Sequence, residues 1–267
     1  MPGQSLQARR ASADLSFCGE LQWQREQRAI ALLNAAGAAV ASEEVGPPWL
    51  QNVLGGRLSY LGEHAMTVDF SVLPRAAERV TDKDLAPVRD LPQLRTLLLT
   101  DTKVTDAGID HLAGLSRLET LVLIRTRITD TGLLKLARSR SLQALYVDWT
   151  SVTHSGIVHL RRTSRLEDVS LSGTATTDAT LETLAGLPRL RRLGLYATNI
   201  TDDGLGHLGR CHQLTDLNLK ETAVTDAGVL KLKRLPLREL SVQNTRVTRS
   251  GIDELRKSIP HLAVSGS

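Results

Sequence analysis

Aromatic residues are scarce: three Trp, three Tyr and two Phe make up 3% of the 267 residues. A core built without them must be aliphatic, and 41% hydrophobic content supplies it mainly through leucine. Cysteine is nearly missing as well. Cys18 and Cys211 stand alone, which excludes a disulfide framework and points to a reducing, cytoplasmic setting. No stretch reaches the roughly 18 consecutive apolar residues of a membrane span, and residues 1–20 lack the apolar run of a secretion signal. The net charge of +4 is too small over this length to mark a nucleic-acid binder without a clustered basic stripe. P-loop, G-x-S-x-G and G-x-G-x-x-G patterns are also missing.

What is present is a repeat of 24 residues. KVTDAGIDHLAGLSRLETLVLIRT (103–126) recurs as RITDTGLLKLARSRSLQALYVDWT (127–150) and SVTHSGIVHLRRTSRLEDVSLSGT (151–174). Further copies span 175–198 and 199–222, a copy one residue shorter spans 223–245, and a partial copy begins at 246. VTDKDLAPVRDLPQLRTLLLTDT (80–102) fits the same frame.

Each frame position has a physical task. L-x-x-L-x-L, as in Leu118, Leu121 and Leu123, alternates with period two and predicts a short strand with one buried face. Strands are expected at 96–100, 120–124, 144–148, 168–172, 192–196, 216–220 and 239–243, each followed by a helix. Thr105 and Asp106 precede an apolar run at helical spacing, so the Thr column reads as N-caps and the Asp column as first-turn charges on the helix dipole. The Asp column breaks at His154 and Arg249, with no accompanying change evident in the repeat. Glycines at 108, 132, 156, 204, 228 and 251 recur inside that first turn, where only close packing between coils offsets their cost of about 1 kcal/mol. At the helix end, Gly114 and Gly186 read as left-handed terminators, while Arg138, Arg162, Arg210 and Arg234 read as cations on the dipole. A second Thr column, Thr102 to Thr245, is expected to bond the backbone of the adjacent coil.

The pattern L-x-x-L-x-L-x-x-T-x-V-T-D-x-G-L resembles the leucine-rich-repeat family, most closely its 24-residue bacterial GALA-like and cysteine-containing types, with Thr where many members carry Asn or Cys. The resemblance covers roughly 80–265. It implies an α/β leucine-rich-repeat solenoid, a curved right-handed coil of eight to nine turns. Its parallel strands line the concave face and its helices the convex one.

The N-terminal third departs from the frame. QREQRAIALLNAAGAAVAS (24–42) predicts a helix, a glycine stop and a short strand, and PPWLQNVLG (47–55) a second short helix. MTVDFSV (66–72) predicts a strand with Val68 and Phe70 aligned to Leu97 and Leu99, then a small loop before Val80. The domain plan is a disordered tail over 1–20, a helical cap with an atypical first coil over 21–79, and repeats over 80–267.

Candidate chemistry is thin. His111, His159 and His207 share one frame position two coils apart, roughly 10 Å, too far for one zinc ion. The Asp column lacks the G-G-x-G-x-D pattern of calcium-binding solenoids. Cys211 occupies a leucine position and reads as core. Arg117, Arg165 and Arg189 suggest an edge stripe, but Asp148, Asp168, Asp216 and Glu239 beside it would repel phosphates. No catalytic residue, metal or cofactor is expected. From residue 94 onward the only aromatics are Tyr146, Trp149 and Tyr196, all read as projecting from the strand face among Arg125, Asp148, Asp168, Arg192, Asn218 and Lys220. Aromatics flanked by arginine match interface hot spots, although strand propensity alone also places Trp and Tyr there. The reading is a non-catalytic scaffold that recognises another protein, with nucleic acid disfavoured as a partner and no membrane segment in the sequence. A ubiquitin-ligase substrate adaptor would need a docking helix that residues 1–80 do not show. A cell-envelope spacer would need no aromatic patch.

Overall fold

The computed structural model describes residues 20–44, 63–71 and 79–266. Residues 1–19, the expected helix at 47–55 and most of the loop after Phe70 lie outside the described residues. Ten strands form one sheet in chain order. They are β1 (Ala39–Glu44), β2 (Glu63–Asp69), β3 (Thr96–Leu98), β4 (Thr120–Val122), β5 (Ala144–Tyr146), β6 (Asp168–Ser170), β7 (Arg192–Gly194), β8 (Asp216–Asn218), β9 (Glu239–Ser241) and β10 (Ala263–Ser265). From β2 onward every pairing is parallel, and each coil returns through a short α or 3-10 helix.

The seven expected repeat strands begin at the residues the leucine alternation indicates and end two residues sooner. Coil-to-coil bonds nevertheless continue past them, as in Leu123 N–H to the Tyr146 carbonyl and Arg125 N–H to that of Asp148. The register stacks Val68, Leu97, Leu121, Leu145, Val169, Leu193, Leu217 and Leu240 in one row, each at most 2% exposed. Similar-sized side chains stacked at strand spacing pack closely, so a core that is aliphatic except for Phe70 and Cys211 runs the length of the array.

The cap is built differently. A helix over residues 20–35 ends at Gly37, whose φ of 95° only glycine adopts cheaply, and β1 then pairs antiparallel to β2. Its buried face includes Ala29, Leu33 and the carboxylate of Glu26, all within 2% exposure. Glu26 accepts from the backbone N–H of Ala65 at 2.8 Å and contacts His64 Nδ1 at 2.7 Å, tying the helix to β2.

The aspartate column joins coils, which corrects its reading as helix-dipole charges alone. One carboxylate oxygen of Asp82, Asp106, Asp130, Asp178, Asp202 and Asp226 accepts the backbone N–H of the Thr one coil later, and the other accepts that Thr hydroxyl, all at 2.5–2.9 Å. The Thr oxygens at 105, 129, 153, 201 and 225 also accept from the N–H two residues on, so capping and coil joining share one side chain. The first-turn glycines follow from this. A Cβ on Gly108, Gly132, Gly156, Gly204, Gly228 or Gly251 would lie 2.1–2.6 Å from the preceding coil's aspartate Oδ1.

The break at His154 has a companion, contrary to the expectation that nothing else changes. Where His154 replaces Asp, the next coil carries Thr180 in place of glycine, and Thr180 Oγ1 accepts from Thr177 N–H at 3.4 Å instead. The break at Arg249, in the last described helix, has no such companion among the described residues, and Gly251 of the same coil is kept.

Two smaller expectations are also corrected. The hydroxyls from Thr102 to Thr245 donate to the carbonyl three residues earlier in their own coil, at 2.6–2.8 Å. They close the turn that leaves the strand and do not reach the adjacent coil. Gly114 and Gly186 have no left-handed φ. The return helices instead close with N–H bonds to the carbonyl three residues back, such as Leu115 to Leu112 and Leu187 to Leu184.

Cys211 is 3% exposed in the leucine row, and burial pushes its thiol up to about 11. Few thiolates then exist at neutral pH. In a Cys18→Ser background, maleimide is expected to leave the native protein unlabelled at pH 7 and to label it stoichiometrically in denaturant; rapid native labelling would refute this.

Candidate functional site

The site lies where the strands end. There the chain leaves the sheet through residues in the left-handed conformation: Asp101, Arg125, Trp149, Ala197, Glu221 and Asn244 have φ of 53–61°, and Gly173 has 65°. A bulky residue held there costs of order 1 kcal/mol or more, so Trp149 sits in a conformation that its own preferences oppose. The geometry throws its indole sideways across the next coil. A Cβ on Gly173 would fall 2.3–2.6 Å from indole carbons, so the missing side chain makes room for the ring. Beyond Gly173 the indole meets Tyr196 edge to face, with centroids 6.0 Å apart and planes at 73°. Trp149 remains 45% exposed.

Tyr146 belongs to a second cluster. Its hydroxyl donates to Asp168, whose carboxylate also takes Arg192 Nε at 2.7 Å. Partial burial, then the bond and charge of Asp168, push the phenol up to about 12. Pairing with Asp168 also raises Arg192, so both remain protonated donors. A shallow groove of about 400 Å³ starts here and is lined by Tyr146, Asp168, Arg192, Asp216, Asn218 and Glu239. Three carboxylates against one guanidinium leave its floor acidic.

The nine residues singled out from the sequence therefore divide. Trp149 with Tyr196, and Tyr146 with Asp168 and Arg192, are brought together. Two of the nine do not project freely. Asp148 and Asp168 are each 7% exposed. Asp148 accepts from Ser170 Oγ and from Ser172 N–H, so it braces the sheet. The alternation pointed it outward correctly, but the Ser170 hydroxyl on the next strand and the Ser172 N–H just past it close over the carboxylate. Asn218 turns its carbonyl to Lys220 N–H at 3.1 Å, and Arg125 lies 3.6 Å from Asp101. Gly173, Ser170 and Ser172 were missed. Gly173 had a signal, as the only glycine in its column, directly after the only Trp.

Among the described residues, no group of three or more His, Cys, Asp or Glu is placed to hold a metal ion, and no helix is long and apolar enough to cross a membrane.

No curated protein matches the chain. Among solved structures it is similar to an internalin (inlF) from Listeria monocytogenes, at 19% identity and a TM-score of 0.48, over 67% of this chain and 62% of that one. A second Listeria monocytogenes internalin (inlC2) gives 24% and 0.49, over 72% and 82%. The leucine-rich-repeat ectodomain of the Arabidopsis thaliana receptor kinase GASSHO1/SCHENGEN3 gives 16% and 0.48, over 76% of this chain and 24% of that one. The chain thus spans less than two thirds of the inlF internalin and about a quarter of the receptor ectodomain. Residues 210–233 match the leucine-rich-repeat family model. That segment occupies the same frame as the coils before and after it, and the fold is a leucine-rich-repeat solenoid.

Proposed function

We propose that this chain is a non-catalytic recognition scaffold that binds a partner protein on its concave strand face. One observation carries the reading: an exposed tryptophan is held in a costly backbone conformation, over a glycine, against a tyrosine. Nothing in the hydrophobic core uses that arrangement, whereas a rigid aromatic pair at a surface suits an interface anchor. The acidic groove beside it favours a partner segment carrying a basic side chain. A spacer would need neither feature. The repeats from 80 onward form the recognition unit, 21–79 is its cap, and the scarcity of cysteine supports a cytoplasmic setting. The repeat frame supports the bacterial GALA-like type.

The test begins by identifying a partner that the intact chain retains, chosen without reference to any variant. Affinities then follow for Trp149→Ala, Tyr196→Ala and Tyr146→Ala. Trp149→Ala is expected to weaken binding by about 2 kcal/mol or more and to change stability by at most about 1 kcal/mol. Wild-type affinity in all three variants would place the interface elsewhere.

A further inference from the structure

A different face carries an unassigned cleft. Where each coil passes from helix to strand, one position is a buried apolar residue in most repeats: Leu115, Leu187, Cys211 and Leu235 are 3–4% exposed. Thr163 fills it while bonding its own coil. The coil over 127–150 has only Ser139 there, whose side chain is too short to reach the core.

The consequence is an opening between this coil and the one before it. Leu112 and Leu136 are 6% and 4% exposed, while Leu160, Leu184, Leu208 and Leu232 in the same row are sealed at 0%. A cavity of about 440 Å³ results, walled by Ile109, Leu112, Leu115, Leu118 and Leu136. That volume falls in the small-molecule range of roughly 300–1,000 Å³.

Next to it lies a polar cleft of about 480 Å³, lined by Arg140, Arg162, Arg165 and Ser116, Ser141 and Ser164. The two clefts share Ser116, Arg140 and Ser141. None of the three arginines has a hydrogen-bond or ion-pair partner among the described residues. Three like charges around one concavity, unneutralised and beside an aliphatic pocket, complement a ligand that is apolar at one end and anionic at the other.

We propose that this paired cleft binds a medium-length acyl carboxylate, with its chain in the pocket opened by Ser139 and its carboxylate on Arg140, Arg162 and Arg165. The site is separate from the strand face, and neither proposal depends on the other.

Isothermal titration of the full chain with decanoate, below its micelle concentration, is expected to show saturable one-to-one binding. Ser139→Leu restores the residue other coils carry. It should weaken binding by about tenfold or more by filling the pocket, at an equal or higher unfolding temperature. Arg140→Gln should weaken it by about fivefold in low salt and by less in high salt. Decanol, with the same chain and no charge, should bind more weakly than decanoate. Absence of saturable binding, wild-type affinity in folded Ser139→Leu, or equal affinity for decanol would each overturn the proposal, as would association only with anionic vesicles. Should Ser139→Leu unfold more readily, Arg140→Gln and decanol decide the matter.

Discussion

Gly228→Ala is expected to destabilise the array by about 3 kcal/mol, more than a helix-propensity change would predict, since alanine is the better helix former. The added Cβ would lie 2.1 Å from Asp202 Oδ1, 2.8 Å from Asp202 Cγ and 3.1 Å from Asp202 Cα, so no side-chain rotation alone relieves the contact. Asp202→Ala alone should cost about 2 kcal/mol, because Thr225 N–H and its hydroxyl lose their 2.7 and 2.6 Å acceptors. The double variant should cost less than the two singles summed, by about 1 kcal/mol or more, because the clash needs both residues. His154 and Thr180 provide a natural control. His154→Asp should destabilise by driving a carboxylate against Thr180, and adding Thr180→Gly should recover the loss. Chemical denaturation of these five variants and of Thr180→Gly alone measures all of this. Strict additivity in both pairs would show that the glycines are retained for another reason.

Glu26→Ala is expected to cost about 3 kcal/mol and to loosen the cap before the repeats. Glu26 is fully buried, and its loss removes the acceptor of the Ala65 N–H and a contact to His64. Glu26→Gln keeps one carbonyl oxygen for Ala65 and should cost less. Hydrogen exchange should quicken in Glu26→Ala over residues 20–35 and in β1 and β2, while the strands from β4 onward keep their protection. Protection lost evenly along the sheet would show that cap and repeats unfold as one unit.

How legible each feature was depends on how far its cause lies along the chain. The strand starts were readable because burial of Leu97, Leu121 and their successors is imposed within six residues by the L-x-x-L-x-L spacing. Gly37 was readable as a stop for the same reason. The partner of Asp106 was not, because it lies 23 residues away, and an N-terminal aspartate already has a sufficient local explanation in the helix dipole. A signal did exist: the substitution of His154 for Asp and of Thr180 for Gly falls one repeat apart. Glu26 looked like one more charged residue on a helix, and only its contact with β2 separates it from its neighbours. Nothing in Ala39–Glu44 distinguishes antiparallel from parallel pairing, since either buries the same face.

On the strand face the division is the same. Alternation put Tyr146 and Tyr196 on the outer surface, and Trp149 followed just beyond its strand, but the sequence could not say which of them meet. Tyr146 goes to Asp168, 22 residues on, and Trp149 lies over Gly173 to reach Tyr196. The repeat period alone determined the fold, because a side chain recurring every 24 residues can be buried only by stacking coils. Tertiary structure alone decided which polar groups are consumed inside the sheet and which remain available. That choice depends on neighbours one coil away, at distances of a few ångströms that no periodicity encodes.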